Sequence, residues 1–232
     1  MLKLLLGRAG TGKTRALLEA MAAGDGRPQI LIVPEQHSHS MERQLCAIGG
    51  SRVSLFAEVL SFTRLANRVF SVYGGLAAPA LDGGGRLLLL CAALKSVAPE
   101  LRVYQRPSRK PAFLSGLLAT VDELKTCRIT PEQLWTAGEE SGGGEGDKLR
   151  DLSLIYGAYE AMTARQGADP RDRLTRLAEA LTREDWAVGK DFYLDAFTDF
   201  TPQERAVLST LLGKANSCLL YTSPSPRDRS VS

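Results

Sequence analysis

Residues 4–14 read Leu-Leu-Leu-Gly-Arg-Ala-Gly-Thr-Gly-Lys-Thr. Leu4-Leu5-Leu6 predicts a short apolar strand, and Arg15-Ala16-Leu17-Leu18-Glu19-Ala20-Met21 predicts a helix. Between them Gly7, Arg8, Ala9, Gly10, Thr11, Gly12, Lys13 and Thr14 match G-x-x-x-x-G-K-[ST] at every fixed position. A glycine-rich turn can meet that spacing by chance. Here the flanking strand and helix that a phosphate-binding loop requires are also present. Glycines let backbone N–H groups turn inward onto phosphates, and the helix N-terminus adds partial positive charge. On this reading Lys13 reaches the β- and γ-phosphates of a nucleotide such as ATP. The Thr14 hydroxyl ligates the accompanying Mg²⁺.

The rest of the chain fits an α/β domain built around that loop. Gln29-Ile30-Leu31-Ile32-Val33 is continuously apolar and β-branched, the pattern of a parallel strand buried on both faces. Pro34-Glu35-Gln36 ends it, and a helix is expected over about 40–48. A third strand falls at either 52–55 or 58–61. Residues 62–73 form a helix with Phe62, Leu65, Ala66, Val69 and Phe70 on one face.

From about 76 to 188 the period is helical and strands are absent. Helices are expected over 86–97, 112–125, 149–166 and from Asp169-Pro170 to about 181. Thr130-Pro131-Glu132-Gln133 has the form of a capping box. Residues 138–148, with Gly142-Gly143-Gly144, are expected to be a flexible surface loop. This block is expected to be a helical insertion between 1–75 and 189–218. Arg102, Arg106, Arg109 and Lys110 surround Tyr104, either as a solvated loop or as a contact to a nucleic-acid backbone.

The sheet resumes at Phe192-Tyr193-Leu194-Asp195. An aspartate at the tip of a later strand is the expected second Mg²⁺ ligand of a nucleotide-binding domain, although an aspartate there can also cap a turn. Thr201-Pro202-Gln203-Glu204 is a second capping box, opening a helix to about Lys214. Ser217-Cys218-Leu219-Leu220-Tyr221 begins like another buried strand. It then runs into Thr222-Ser223-Pro224-Ser225-Pro226, whose prolines cannot join a central ladder. Residues 219–232 are therefore expected to be a disordered, non-native tail of a truncated chain.

Composition narrows the class. Of 232 residues, 44% are hydrophobic and 24% charged, and the formal net charge is +3, values ordinary for a globular domain. That charge permits a nucleic-acid partner without requiring one. Cys46, Cys91, Cys127 and Cys218 are too dispersed for a C-x-x-C pair. His37 and His39 lack a neighbouring ligand at metal spacing. No apolar run reaches the length of a membrane span, so no membrane partner is expected and the cytoplasm is the default compartment.

Four blocks carry a resemblance: GRAGTGKT at 7–14, VPEQHSHSMERQL at 33–45, VLSFTRLANRVF at 59–70 and FYLDAFTDFTPQE at 192–204. Together they resemble the N-terminal region of the AddB family, the B subunits of bacterial AddAB helicase–exonucleases, similar in fold to superfamily-1 helicases of the UvrD type. The resemblance implies a RecA-like P-loop NTPase sheet with a helical insertion. It also implies a role in an ATP-dependent helicase/deoxyribonuclease that processes DNA ends in repair. By position it places Mg²⁺ ligation on Thr14 and Asp195. Contact with single-stranded DNA falls to Gln36, His37, Ser61, Phe62 and Arg64. An AddA-like helicase–nuclease is the implied partner. The iron–sulfur cluster of the family is expected only in a C-terminal part that this chain lacks. One departure stands out. Superfamily-1 motors read Asp-Glu-x-Gln-Asp at the second motif, whereas Asp195 is followed by Ala196, Phe197, Thr198 and Asp199. Nucleotide binding is then expected without efficient hydrolysis. Two other readings stay open: a stand-alone P-loop NTPase, such as a small-molecule or nucleotide kinase with Arg171, Arg173 and Arg176 on a helical lid, and a non-catalytic scaffold whose P-loop is a relic.

Overall fold

Apolar residues on both faces of a strand demand a layer on each side of the sheet, and the fold supplies both. The computed structural model describes residues 2–5, 11–24, 26–77, 79–105 and 110–221. In chain order the elements are β1 (Leu2–Leu5), α1 (Lys13–Ala22), β2 (Gln29–Ile32), α2 (Ser38–Gly49), β3 (Ala57–Leu60) and α3 (Phe62–Tyr73). There follow α4 (Gly83–Val97), α5 (Pro111–Thr126), α6 (Pro131–Ser141), α7 (Gly143–Gln166) and α8 (Arg173–Arg183). The chain then forms β4 (Asp191–Leu194), α9 (Pro202–Lys214) and β5 (Ser217–Tyr221). It divides into two compact units, one of Met1–Gly75 with Leu174–Ser232, the other of Leu76–Arg173.

The first unit holds a five-stranded sheet in the order β1-β5-β4-β2-β3, with every pairing parallel. Side chains alternate between its faces. Ile30, Ile32, Leu60, Phe192, Leu194 and Cys218 join α3, α8 and α9 in one apolar core. Leu31, Val33, Ala57 and Val59 join α1 and α2 in the other. Burial drives the Cys218 thiol up to about 11, so it stays protonated as a small apolar side chain.

Two expectations are corrected here and one open choice is resolved. The segment 174–188 belongs with the sheet, because Leu177, Ala178, Ala180, Leu181, Trp186 and Ala187 pack into its core. Helical period alone does not say which core a stripe faces. Residues 219–221 are in β5, paired on one side with β1 and on the other with β4; residues 222–232 lie outside those described. The third strand is β3, since 51–55 coil into a 3₁₀ turn.

The second unit is helical. Leu90, Leu94, Leu117, Val121, Ile155 and Tyr159 form its core. The expected loop at 138–148 is instead a tight helical hairpin. α6 ends at Ser141, Gly142 and Gly143 take φ of 63° and 56°, and α7 begins at once. Gly138 and Gly146 pack so closely that a Cβ on Gly146 would sit 2.4 Å from the Gly138 carbonyl oxygen. These glycines serve close helix approach, not flexibility. Thr130 and Gln133 make the capping box expected of them. The start of the basic run is pinned: the buried Asp151 carboxylate accepts the backbone N–H groups of Arg102, Val103 and Tyr104. Arg106 and Arg109 lie outside the described residues.

A buried ionic cluster ties α4, α5 and α7 to the turn at 170–172. Arg86 pairs with Asp122 and Asp169, and Tyr159 donates to Asp169 at 2.9 Å. Lys125 meets Asp172 at 2.7 Å, Asp169 at 3.2 Å and also Glu160. Burial raises the pKa of Glu160 and of Asp172 despite Lys125 beside them. Burial also opposes ionisation of Asp169, but the Arg171 N–H, Lys125, Tyr159 and Arg86 hold its carboxyl below the usual range.

Among the described residues no helix is long and apolar enough to cross a membrane. Lys125→Met leaves three carboxylates facing one another without their shared cation. The expected loss is about 3 kcal/mol, read as a lowered urea midpoint at pH 7. Glu160 and Asp172 already bind protons more readily than free carboxyls, so the deficit shrinks as pH falls from 7 toward 5. A deficit that grows on acidification would refute this account of the cluster.

Candidate nucleotide site at the carboxyl edge of the sheet

Parallel strands bring all their carboxyl ends to one edge. Leu4, Leu220, Leu194, Ile32 and Leu60 stand level across the sheet. The next row is therefore Leu5, Tyr221, Asp195, Val33 and Ser61. With strands about 4.8 Å apart, Asp195 lies about 10 Å from the end of β1, with β5 between them. Ser61 lies about as far on the other side, across β2. The end of β1 and the segments that follow β2 and β3 thus flank Asp195 from opposite sides.

Of the expected nucleotide loop, Gly7, Arg8, Ala9 and Gly10 lie outside the described residues. Thr11 is exposed, and Gly12 caps α1 with φ of 76°. A Cβ added at Gly12 would meet nothing within 4 Å, so the backbone angle itself favours glycine. Lys13 and Thr14 are half-buried in the first turn of α1. That turn has no side-chain cap and no acidic residue. The N–H groups and dipole of that turn are thus not offset by an acidic residue within it.

Asp195 is 6% exposed. Its N–H donates to the Ile32 carbonyl at 3.2 Å, which locks it to β2. Its Oδ1 accepts the N–H of Ala196 at 2.7 Å. Its Oδ2 is buried and has no hydrogen-bond partner among the described residues. A buried carboxylate oxygen left unpartnered is costly, and a cation is the chemistry it fits. Ala196 takes φ of 66°, a left-handed angle that costs a non-glycine residue roughly 1 kcal/mol. Strain of this kind clusters at functional positions.

The segments proposed for DNA contact divide into exposed and buried parts. Gln36 is exposed and His37 half-buried, in a 3₁₀ turn at the start of α2. Arg64 is exposed. Ser61 and Phe62 face inward. The Ser61 hydroxyl accepts the Arg64 N–H at 3.2 Å and caps α3. The Phe62 ring is 6% exposed and packs edge-on against Phe197 and Phe200, at 5.6 and 6.5 Å between ring centres. Surface for a polyanion at this segment therefore comes from Arg64, not from the Phe62 ring. Ser38, between His37 and His39, has a buried hydroxyl without a hydrogen-bond partner among the described residues. Its one sequence signal is its place next to His37.

Two of the three arginines suggested for a kinase lid, Arg171 and Arg176, are engaged elsewhere. Arg171 pairs with Asp122 at 3.0 Å. Arg176 donates to the Gly75 carbonyl at 2.9 Å and lies over the Phe70 ring. No cluster of three or more His, Cys, Asp or Glu suited to a metal occurs among the described residues. Among those residues His37 and His39 gain no third ligand.

Replacing Ala196 with glycine removes the left-handed penalty, and the more flexible unfolded chain gives part of it back. The expected net gain is about 0.5 kcal/mol, seen as a small rise in melting temperature. A loss of stability would show that the angle is not strained.

The family model for the N-terminal region of AddB matches residues 4–228. Three relatives are each named as the B subunit of an ATP-dependent helicase/deoxyribonuclease. The one from Desulforudis audaxviator is 40% identical over 224 residues, covering 92% of this chain and 19% of its own. The one from Pelotomaculum thermopropionicum is 39% identical over 225 residues, covering 93% and 19%. The one from Thermoanaerobacter sp. is 37% identical over 219 residues, covering 92% and 19%. The chain spans 19% of the length of these relatives, and it belongs to the AddB N-terminal family.

Proposed function

We propose that this chain is the nucleotide-binding, helicase-like N-terminal part of the B subunit of an ATP-dependent helicase/deoxyribonuclease, a RecA-like P-loop domain acting on DNA ends in repair. The observation that carries the reading is the unpartnered Asp195 Oδ2, at the edge where β1 leads into the G-x-x-x-x-G-K-[ST] sequence. Lys13 and the first turn of α1 would bind the phosphates. Thr14 and Asp195 would hold Mg²⁺, which, bound with nucleotide, neutralises charge on the β- and γ-phosphates. Gln36, His37 and Arg64 would meet single-stranded DNA from the other side of Asp195. The relatives are named as one subunit of a larger enzyme, which supports a partner, and an AddA-like helicase–nuclease is the fit. The cytoplasm is the compartment that goes with this reading.

Hydrolysis is a separate matter. A glutamate after the strand-end aspartate would position and activate the attacking water, and Ala196 has no group to do so. Binding with slow turnover is the expected behaviour, which places translocation on the partner. Of the three arginines cast as a kinase lid, Arg171 and Arg176 have partners within the fold, which weighs against the kinase reading.

Lys13→Ala should weaken binding of a fluorescent ATP analogue by about 2–3 kcal/mol, the loss of a charge-assisted phosphate contact, with the circular dichroism unchanged. Equal affinity for mutant and wild type would sink the nucleotide assignment. The complete subunit assayed without a partner should turn over ATP about 10²–10⁴-fold more slowly than a helicase that carries the glutamate. A helicase-like rate would place the catalytic base elsewhere.

A further inference from the structure

One face of the helical unit has no part in the site described above. Where α6 and α7 meet the end of α4 lies an open cleft of about 480 Å³, a size that suits a bulky side chain or a small ligand. Small residues of α7, Ser153, Gly157 and Ala158, line it, together with Val97 and Trp135. A Cβ added at Gly157 would meet only Pro131, at 3.6 Å. That is ordinary contact, so close helix approach does not demand glycine here as it does at Gly146. The side chain missing at 157 is open volume.

Trp135 stands beside that volume. The chain has two tryptophans; Trp186 is 7% exposed, whereas Trp135 is 39% exposed. The Arg150 guanidinium lies over the Trp135 ring at 5.6 Å, a cation–π contact that holds the indole in place. A held, exposed tryptophan next to an apolar hollow is the form that interface anchors take.

The charges around the ring have one sign. α6 carries Glu132, Glu139 and Glu140 and no lysine or arginine, and all three glutamates are exposed. Glu132 itself lines the cleft. Glu132, Trp135 and Glu139 recur at helical spacing and so share one face. Arg150 is the near cation, but its Nη2 stands 3.9 Å from Glu139, the outer limit of an ion pair. The chain as a whole is +3, so the acidity is local. It would repel a phosphate backbone and match a segment that carries Lys or Arg beside a bulky apolar side chain. An apolar centre inside a charged rim is the anatomy of an interface between separately folded chains.

We propose that this cleft is where the partner subunit docks. A bulky apolar side chain of the partner enters beside Trp135, and lysines or arginines flanking it meet Glu132 and Glu139. The proposal rests on the reading given above, in which the chain is part of one subunit of a larger enzyme. It adds the surface and the chemistry of the segment that the surface takes.

The test uses the complete B subunit and a purified helicase–nuclease partner. Hydroxyl-radical footprinting read by mass spectrometry gives the oxidation rate of Trp135 in the lone subunit and in the heterodimer. The rate should be high in the lone subunit and fall several-fold in the heterodimer. Trp135→Ala should weaken the heterodimer by about 30-fold, the level of an interface hot spot. Glu132→Lys combined with Glu139→Lys should weaken it by about 10-fold, a deficit that shrinks as salt is raised. Gly157→Leu, which fills the cleft, should weaken it as well. Should Trp135→Ala or Gly157→Leu lose its cooperative melt, the lysine pair at exposed positions must still show the loss. Wild-type affinity in the lysine pair overturns the proposal. So does equal reactivity of Trp135 in the lone subunit and in the heterodimer. Protection of Trp135 already in the lone subunit overturns it too, because the subunit's own chain would then fill the cleft. Protection by an oligothymidylate without the partner overturns it in favour of nucleic acid. Failure of the wild type to form any heterodimer overturns the underlying reading, and the proposal with it.

Discussion

A parallel strand pair cannot be joined by a tight turn, so each return to the sheet needs a crossover. Every strand here obeys that limit. The crossovers lay α1 and α2 over one face and α3, α8 and α9 over the other. This is why Ile30 and Ile32 sit in one core while Leu31 and Val33 sit in the second. The same constraint sets every strand in one direction. The loops that leave the carboxyl ends then share one edge, where ligands of open α/β sheets bind. The position of Asp195 is thus a consequence of strand direction before it is a matter of chemistry.

The strand order adds the spacing. β4 and β5 are last in sequence, yet they lie between β1 and β2. The chain can reach that place only after residues 76–173 have run their course. A long excursion between two sheet elements costs little in closure entropy, about 0.6 kcal/mol per doubling of length. It must still be self-supporting, and this one has its own apolar core and an ionic cluster around Lys125 and Arg86. The insertion of a whole helical unit therefore leaves the register of β2 with β4 undisturbed.

Much of this was legible in the sequence because local chemistry sufficed. The caps at Thr130 and Thr201 were readable from side chains three residues apart. So was the buried stripe of α3. The misreadings share a cause. Gly142-Gly143-Gly144 resembles a linker unless one knows that Gly138 faces Gly146 across a helix hairpin. The apolar stripe of α8 does not announce which core it joins. Phe62 sits in a stretch matched to DNA contact, but its partners Phe197 and Phe200 are more than a hundred residues away. Sequence spacing reports neighbours along an element; it is silent about which distant ring closes over it.

Asp195 and Ala196 together suggest how binding and turnover come apart. The carboxylate is already desolvated and accepts the Ala196 N–H, while the Asp195 backbone N–H is held by the Ile32 carbonyl, so little reorganisation would remain for a cation. Preorganisation of that kind favours binding. Hydrolysis asks for something further: a base within reach of a water. The residue in the expected place has only a methyl group, held at a left-handed angle by the bond to Asp195. A site can therefore keep the electrostatics of nucleotide recognition and lack the proton acceptor.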